Sequence, residues 1–341
     1  MIGERVGPYT LERKIGDGGM GVVYAASQDA CIRQVAIKIL LADLSRDQGL
    51  VQRFFKEVRA TTAIDHPSIV QVHGADYAAN GAAYIVMELL DGEALSARLQ
   101  RLTHLSVAVA LTLARQIATA LRAAHEAGII HRDLKPDNVF VVADPEAPAG
   151  ERIKLLDFGI AKLAHDIAGL GRTLAGTVIG SPQYMSPEQC EDAGSVDERS
   201  DLYSLGCILF EMLSGRAPFL SDKPLRLISM HLQTPPPALS ALVPGIPTEV
   251  EALVMQLLAK SPAERPASAR HVEDALVRCG AVPAARRATI QTQRAVSGVV
   301  QTVPQAASEP RGSRARTRVG LALVALASLG LTLAGVLHGC V

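Results

Sequence analysis

The feature that limits the fold most is a change of hydrophobic period near residue 90. Before it, "YTLERKIG", "GVVYAAS", "QVAIKIL", "IVQVHGAD" and "AAYIVMEL" are short apolar or alternating runs parted by Gly, Asp or Asn. That is the pattern of short strands joined by tight turns. One helical stretch, "DQGLVQRFFKEVRATTAI", interrupts them. After "DGEAL" the chain reads as helix. "LSVAVALTLARQIATALRAAHEAG" is rich in Ala and Leu and stops at Gly128, a residue suited to the C-terminal cap. Further helices are expected at 200–215, 223–232, 247–260 and 267–279. The runs predict a small sheet-based lobe followed by a larger helical one.

Trp is absent and aromatics are 4% of the chain, so Ala, Leu and Val must build the core. Formal charge is zero but unevenly spread. Residues 280–318 hold seven Arg, no Lys and one Glu, which leaves the body mildly acidic. An acidic body gives no electrostatic footprint for nucleic acid, so none is expected as a partner. The five cysteines form no CxxC pair, which suits free thiols in a reducing compartment. The opening "MIGERVGPYT" lacks the apolar core of a signal peptide.

Four segments carry chemistry. "IGDGGMGVVY" places Gly16, Gly18 and Gly21 in a G-x-G-x-x-G pattern. In a dinucleotide fold this pattern opens a helix, with an acid about 20 residues on, and Asp43 stands near that spacing. Here β-branched, strand-like residues follow, so the glycines belong to a strand–turn–strand that brings backbone close to phosphates. A plain hairpin turn is the alternative. "VAIK" puts Lys38 on the next strand, and Glu57 lies on the intervening helix, where an ion pair would aim the ammonium at phosphate oxygens. "IIHRDLKPDNVFV" sets Asp133, Lys135 and Asn138 in one loop between apolar flanks. An acid, a base and an amide there suit orienting a hydroxyl, balancing phosphate charge and holding a metal. "IKLLDFGIAK" places Asp157 at a strand end before a glycine, a position suited to a hard cation such as Mg²⁺.

These segments, with "GTVIGSPQYMSPEQ", resemble the eukaryotic-type (Hanks-type) serine/threonine protein kinases, in the style of the bacterial membrane-anchored members. The motifs stand in family order and spacing over residues 9–279. The resemblance implies an α+β, two-lobed protein kinase fold: an antiparallel-sheet N-lobe over about 9–88 and a mainly helical C-lobe over about 92–279. It implies ATP and Mg²⁺ as cofactors and protein Ser/Thr hydroxyls as acceptors. Ile15, Gly16, Asp17, Gly18, Gly19, Met20, Gly21, Val22 and Val23 would cover the nucleotide, with Ala36 against the adenine. Met87 would be the gatekeeper, and the backbone of Glu88 and Leu90 would bond the base. Lys38, held by Glu57, would grip the α- and β-phosphates. Asp133 would take the hydroxyl proton, Lys135 would approach the γ-phosphate, and Asn138 and Asp157 would bind Mg²⁺. Arg265 would clamp Glu188, and Asp201 would brace the catalytic loop. A pseudokinase scaffold would lack one of Lys38, Asp133, Asn138 or Asp157, and all four are present. A small-molecule kinase would lack the peptide-positioning "GSPQYMSPE", which is intact.

The departures are small. Ser181 stands where the family usually has Thr, the family's A-P-E reads Ser186-Pro187-Glu188, Ser261 replaces a frequent Asp, and "VVADPEAPAGERIK" is long enough for an extended hairpin tip. Thr173 and Thr177 lie between D-F-G and S-P-E, within reach of the Arg132 that receives an activation-loop phosphate in the family. Autophosphorylation there is expected, with a homodimer as the route in trans.

Periodicity disappears over 280–318, a flexible basic juxtamembrane linker. From Val319 to Leu337 the only polar residues are Ser328 and Thr332. A helix of that length rises roughly 28 Å, against a hydrocarbon thickness of about 30 Å. Residues 319–338 are therefore read as a transmembrane helix contacting membrane lipid, and 339–341 as a short external tail. Arg311, Arg314, Arg316 and Arg318 precede the span and only His338 follows, which puts the kinase domain in the cytoplasm as a C-terminally anchored, single-pass protein of the cell membrane. With so short a tail, the expectation is an anchor and not a ligand-sensing receptor.

Overall fold

Period-two alternation in "QVAIKIL" sorts its side chains onto the two faces of one sheet. In the computed structural model, which describes residues 1–18, 21–28, 31–158, 182–191 and 196–280, that run is part of strand β4 (Cys31–Leu40). It is the middle of a six-stranded antiparallel sheet with β1 (Arg5–Val6), β2 (Tyr9–Gly18), β3 (Gly21–Gln28), β5 (Val72–Tyr77) and β6 (Ala83–Glu88), in the order β1-β2-β3-β4-β6-β5. The sheet thus starts at Arg5, a few residues before the first run legible in the sequence. On one face Tyr24, Val35, Ile37, Ile39, Tyr84 and Val86 close a cluster with Val6 and Leu11. The opposite face is covered at one end by the helix α2 (Gln48–Thr62), whose Val51, Phe54 and Val58 pack on Leu40, Ala83 and Ile85. A short helix α1 (Ala42–Ser45) leads into α2.

The second lobe opens with a three-stranded sheet of β7 (Gly92–Ala94), β8 (Val139–Ala143) and β9 (Glu151–Leu155). β8 and β9 form the extended hairpin, and Asp144 pairs with Arg152 across its mouth. Gln116 finishes the outer edge: its Nε2 donates to the Glu151 carbonyl at 3.0 Å and its Oε1 accepts from the Ile153 amide at 3.0 Å. The helices are α3 (Leu95–Leu102), α4 (Val107–Glu126), α5 (Pro187–Glu191), α6 (Arg199–Ser214), α7 (Pro224–Gln233), α8 (Thr248–Leu257) and α9 (Ala269–Gly280). Ser106 caps α4 by accepting from the Val109 amide, and Gly128, at φ 74°, turns the chain away just beyond its end. Short of Gly128, the long Ala/Leu run is helical as its period demands.

α4 is, among the described residues, the one helix long and apolar enough to cross a membrane. Its Ala110, Ala114, Ala118, Ala120 and Ala124 are fully buried, and the small side chains let α6 and α9 pack closely along it. It is a core helix. α6 is apolar on nearly every side and buried accordingly. Gly206 sits where α8 crosses α6, and a Cβ there would lie 2.7 Å from the Leu257 Cβ. The linker, the span at 319–338 and the tail 339–341 lie outside the described residues.

Candidate active site

The loop from Ile129 to Asn138 is held from below by one carboxylate. Asp201, in the first turn of α6, is 1% exposed. It accepts from the His131 amide (2.8 Å), the Arg132 amide (2.9 Å) and His125 Nε2 (2.8 Å). Burial alone would raise its pKa, but His125 and the amide donors outweigh that and hold it below the usual carboxylate range. These bonds keep Arg132 at φ 65°, in the left-handed region that a side chain with a Cβ rarely adopts. The next residue, Asp133, is thereby turned out of the loop, and its side chain is 32% exposed.

Two neighbours orient Asp133. Lys135 Nζ donates to Oδ2 at 2.7 Å. Asn138 Nδ2 donates to the Asp133 carbonyl at 2.7 Å and to Oδ2 at 3.0 Å. Both side-chain contacts fall on Oδ2, so among the described residues Oδ1 is left without a donor. The Asn138 carbonyl accepts from the Leu156 amide at 2.9 Å, which joins this loop to the segment carrying Asp157.

Asp157 follows β9 at φ 57°. Its Oδ1 accepts from Lys38 Nζ at 2.7 Å, a bond between strand β4 of the first lobe and the end of β9 in the second. Burial pushes the Asp157 carboxyl up, and the Lys38 ammonium more than reverses it, leaving the pKa below the ordinary value. Phe158 is buried, with its ring 4.5 Å from that of His131. Glu57 stands on α2, and its side chain lies outside the described residues.

Strand register collects the remaining candidates. Val23 pairs with Lys38 and Gly16, and Ala36 pairs with Met87. Directly opposed residues share a face, so Gly16, Val23, Ala36, Lys38 and Met87 line one side of the sheet, away from the cluster around Ile37. Val22 points to the other side and packs against that cluster. A Cβ at Gly16 would meet nothing within 4 Å, so glycine there leaves open room. At Gly21 a Cβ would sit 2.3 Å from the Ile39 carbonyl oxygen, so that glycine answers to strand packing. Asp17 is ion-paired to Lys14 at 2.7 Å and exposed. Ile15 is 39% exposed. Gly19 and Met20, at the turn, lie outside the described residues, as do Thr173, Thr177 and Ser181. At the crossing between lobes the Glu88 amide donates to the Gln71 carbonyl at 2.9 Å. The Glu88 carboxylate accepts from the Gln71 amide at 2.7 Å and from Lys154 Nζ at 2.6 Å. Leu90 is half-buried two residues further on.

Below the loop, Arg265 and Glu188 meet as a buried fork, with Nη1 on Oε1 at 2.7 Å and Nη2 on Oε2 at 2.8 Å. Ser200 Oγ also donates to Glu188 Oε1, next to Asp201. Motif spacing points to neither His125 nor Ser200. The first becomes visible only when the C-terminal turn of α4 comes to rest beside α6.

The donor set fits a magnesium–nucleotide complex. Among the described residues no three His, Cys, Asp or Glu side chains cluster into a protein cage. One carboxylate, Asp157, and one amide, Asn138, are the groups there that could hold such a cation. Mg²⁺ is commonly held by one or two carboxylates together with water and phosphate oxygens. Asn138 commits its Nδ2 to Asp133, so the atom it can offer a cation is Oδ1.

The protein kinase domain pattern matches residues 9–277. The chain is 38% identical over 325 residues to the serine/threonine-protein kinase Pkn1 of Myxococcus xanthus, covering 94% of this chain and 45% of that protein. It is 39% identical over 324 residues to the serine/threonine-protein kinase PknA of Mycobacterium tuberculosis, covering 92% of this chain and 71% of that one. The chain thus spans less than half the length of the myxobacterial relative. The crystal structure of the Mycobacterium tuberculosis PknI kinase domain superposes with a TM-score of 0.63 at 28% identity, covering 82% of this chain and 98% of that one. The two-lobed fold, the braced loop and these likenesses agree, and the chain belongs to the Hanks-type serine/threonine protein kinase family.

Proposed function

We propose that the chain transfers the γ-phosphoryl group of ATP to serine and threonine hydroxyls of proteins. The observation that carries this reading is the junction of Asp133, Lys135 and Asn138 with the Lys38–Asp157 pair, joined through the Asn138–Leu156 bond. The acceptor oxygen attacks the γ-phosphorus, the bond to the β,γ-bridging oxygen breaks, and ADP leaves. Asp133 takes the hydroxyl proton, with Oδ1 as the open oxygen. Lys135, already 2.7 Å from Asp133, is placed to neutralise charge on the transferring group. Lys38, freed from Asp157, holds the nucleotide phosphates. Mg²⁺, when bound by Asp157 and Asn138, supplies charge neutralisation on the phosphates. Little covalent chemistry is asked of the protein, and positioning with preorganised charge is sufficient for this reaction class.

The test is transfer of label from ATP to a generic protein substrate by the full chain, with Asp133→Asn beside it. The variant is expected to lose nearly all transfer. Equal labelling by both proteins refutes the role of Asp133.

Two further proposals concern control. Thr173, Thr177 or both are autophosphorylation sites, modified in trans by a second copy. A buried Arg132 Nε with no partner among the described residues supports this, since a phosphate would satisfy it. Residues 319–338 anchor the kinase domain to the cytoplasmic side of the cell membrane. The uninterrupted apolar run behind four arginines supports that.

A further inference from the structure

The sequence Ser186-Pro187-Glu188-Gln189 starts α5, and its first and fourth residues cap each other. The Gln189 amide donates to Ser186 Oγ at 3.3 Å, and the Ser186 amide donates to Gln189 Oε1 at 3.0 Å. This is a capping box, in which two helix-end donors are satisfied reciprocally. Glutamate serves such a box as well as glutamine, because only the side-chain oxygen is used. Glutamine has one capacity that glutamate lacks, and the fold uses it. Gln189 Nε2 donates to the Arg132 carbonyl at 2.7 Å. Ser186 is fully buried and Gln189 is 8% exposed, so water is a poor substitute for that bond.

The Arg132 carbonyl belongs to the peptide unit that delivers Asp133. Asp201 holds the amides of His131 and Arg132 from one side, and Gln189 holds the carbonyl from the other. With both in place, the left-handed Arg132 cannot relax its ψ without losing a buried hydrogen bond. We infer that Gln189 is a positioning residue for phosphoryl transfer: through the Arg132 carbonyl it fixes the direction of the Asp133 carboxylate, and it couples that direction to the helix that follows the peptide-positioning segment. This rests on the kinase reading above.

The discriminating substitution is Gln189→Glu. It keeps the oxygen that caps α5 and replaces the donor with an oxygen facing a carbonyl. Full-length chains in detergent would be compared for Tm, kcat and KM for ATP: wild type, Gln189→Glu, Gln189→Ala and Ser186→Ala, with Asp133→Asn as the inactive control. A misplacement of about 1 Å in a reacting group can cost about 10²-fold in rate. Gln189→Glu is therefore expected to keep its KM for ATP while kcat falls about tenfold or more, with a lower Tm because a buried carboxylate oxygen then faces the Arg132 carbonyl. Ser186→Ala removes one of the two capping bonds and spares the tether, so it is expected to lower Tm and to cost less kcat than Gln189→Ala does. A folded Gln189→Glu chain with kcat within about twofold of wild type overturns the inference, because a pure capping role predicts that result. Should Gln189→Glu fail to fold, the comparison passes to Gln189→Ala and Ser186→Ala: the first is expected to lose more kcat than the second, and equal loss in both overturns the inference. A wild-type chain with no transfer activity overturns the kinase reading itself, whereas activity that Asp133→Asn abolishes keeps that reading and leaves Gln189 to be judged alone.

Discussion

Arg265 uses all of its donor capacity in one buried place, which makes it the sharpest stability probe in the chain. It is 3% exposed. Nε donates to the Ala259 carbonyl at 2.9 Å, Nη1 to Glu188 Oε1 at 2.7 Å and the Arg199 carbonyl at 3.0 Å, and Nη2 to Glu188 Oε2 at 2.8 Å and the Lys260 carbonyl at 2.9 Å. The guanidinium also lies 4.9 Å from the centre of the Tyr203 ring. Arg265→Met fills similar space and donates nothing. It strands a buried carboxylate and three carbonyls, and breaking a buried pair from one side costs about 3–5 kcal/mol. A domain of this kind is stable by about 5–15 kcal/mol, so the loss is a large share of the total. Glu188→Gln leaves the arginine its three carbonyls and removes one charge-assisted fork, at about 1.5–3 kcal/mol. In the double variant no carboxylate is stranded, so the two costs should overlap by about 1 kcal/mol or more. Urea unfolding of the four full-length proteins measures each corner of the cycle. A loss below about 1 kcal/mol for Arg265→Met, or strictly additive costs, would refute the claim that this pair is desolvated and mutually dependent.

His231 is fully buried between Tyr203, whose hydroxyl lies 2.9 Å from Nδ1, and the Phe219 ring. Burial, helped by the Lys260 ammonium, pushes its pKa down to about 4. Between pH 6.5 and 4 the unfolded chain binds a proton that the folded chain refuses. Stability is therefore full above pH 6.5 and falls as the pH drops, by about 3 kcal/mol in all. Urea midpoints at pH 7.5 and 5 should differ less in His231→Gln than in wild type, and equal differences would argue against a neutral buried imidazole. Mass spectrometry of active protein is expected to find phosphate on Thr173, Thr177 or both, and Asp133→Asn protein is expected to carry none there. Removal of residues 319–341 is expected to release the protein from membranes in cell fractionation while phosphoryl transfer in solution stays within about twofold, since those residues are far in sequence from Asp133 and Asp157.

Local physics made much of this protein readable without coordinates. The alternation in "QVAIKIL" is a property of neighbours, and it put Ala36 and Lys38 on the face opposite Ile37. The Ala/Leu run of α4 and the apolar run of α6 are helical by period, and Ser106 and Gly128 mark the ends of α4 by capping chemistry. Asp133, Lys135 and Asn138 lie within six residues of one loop, so their meeting needed no tertiary knowledge. The second sheet was different, because β7 is three residues long and pairs with a strand more than forty residues later. The same holds for the choice of partner. Lys38 bonds Asp157, 119 residues away, and Gln189 bonds Arg132, 57 residues away. Sequence by itself determined which groups stand as candidates for the chemistry and the elements they ride on, because period, capping and loop spacing act over a few residues. Tertiary structure alone decided how those groups are aimed: Asp201 and Gln189 hold the peptide groups before and after the Arg132 α-carbon only once α5, α6 and the loop are packed, since a hydrogen bond across such separations is set by where the surrounding core leaves its two ends.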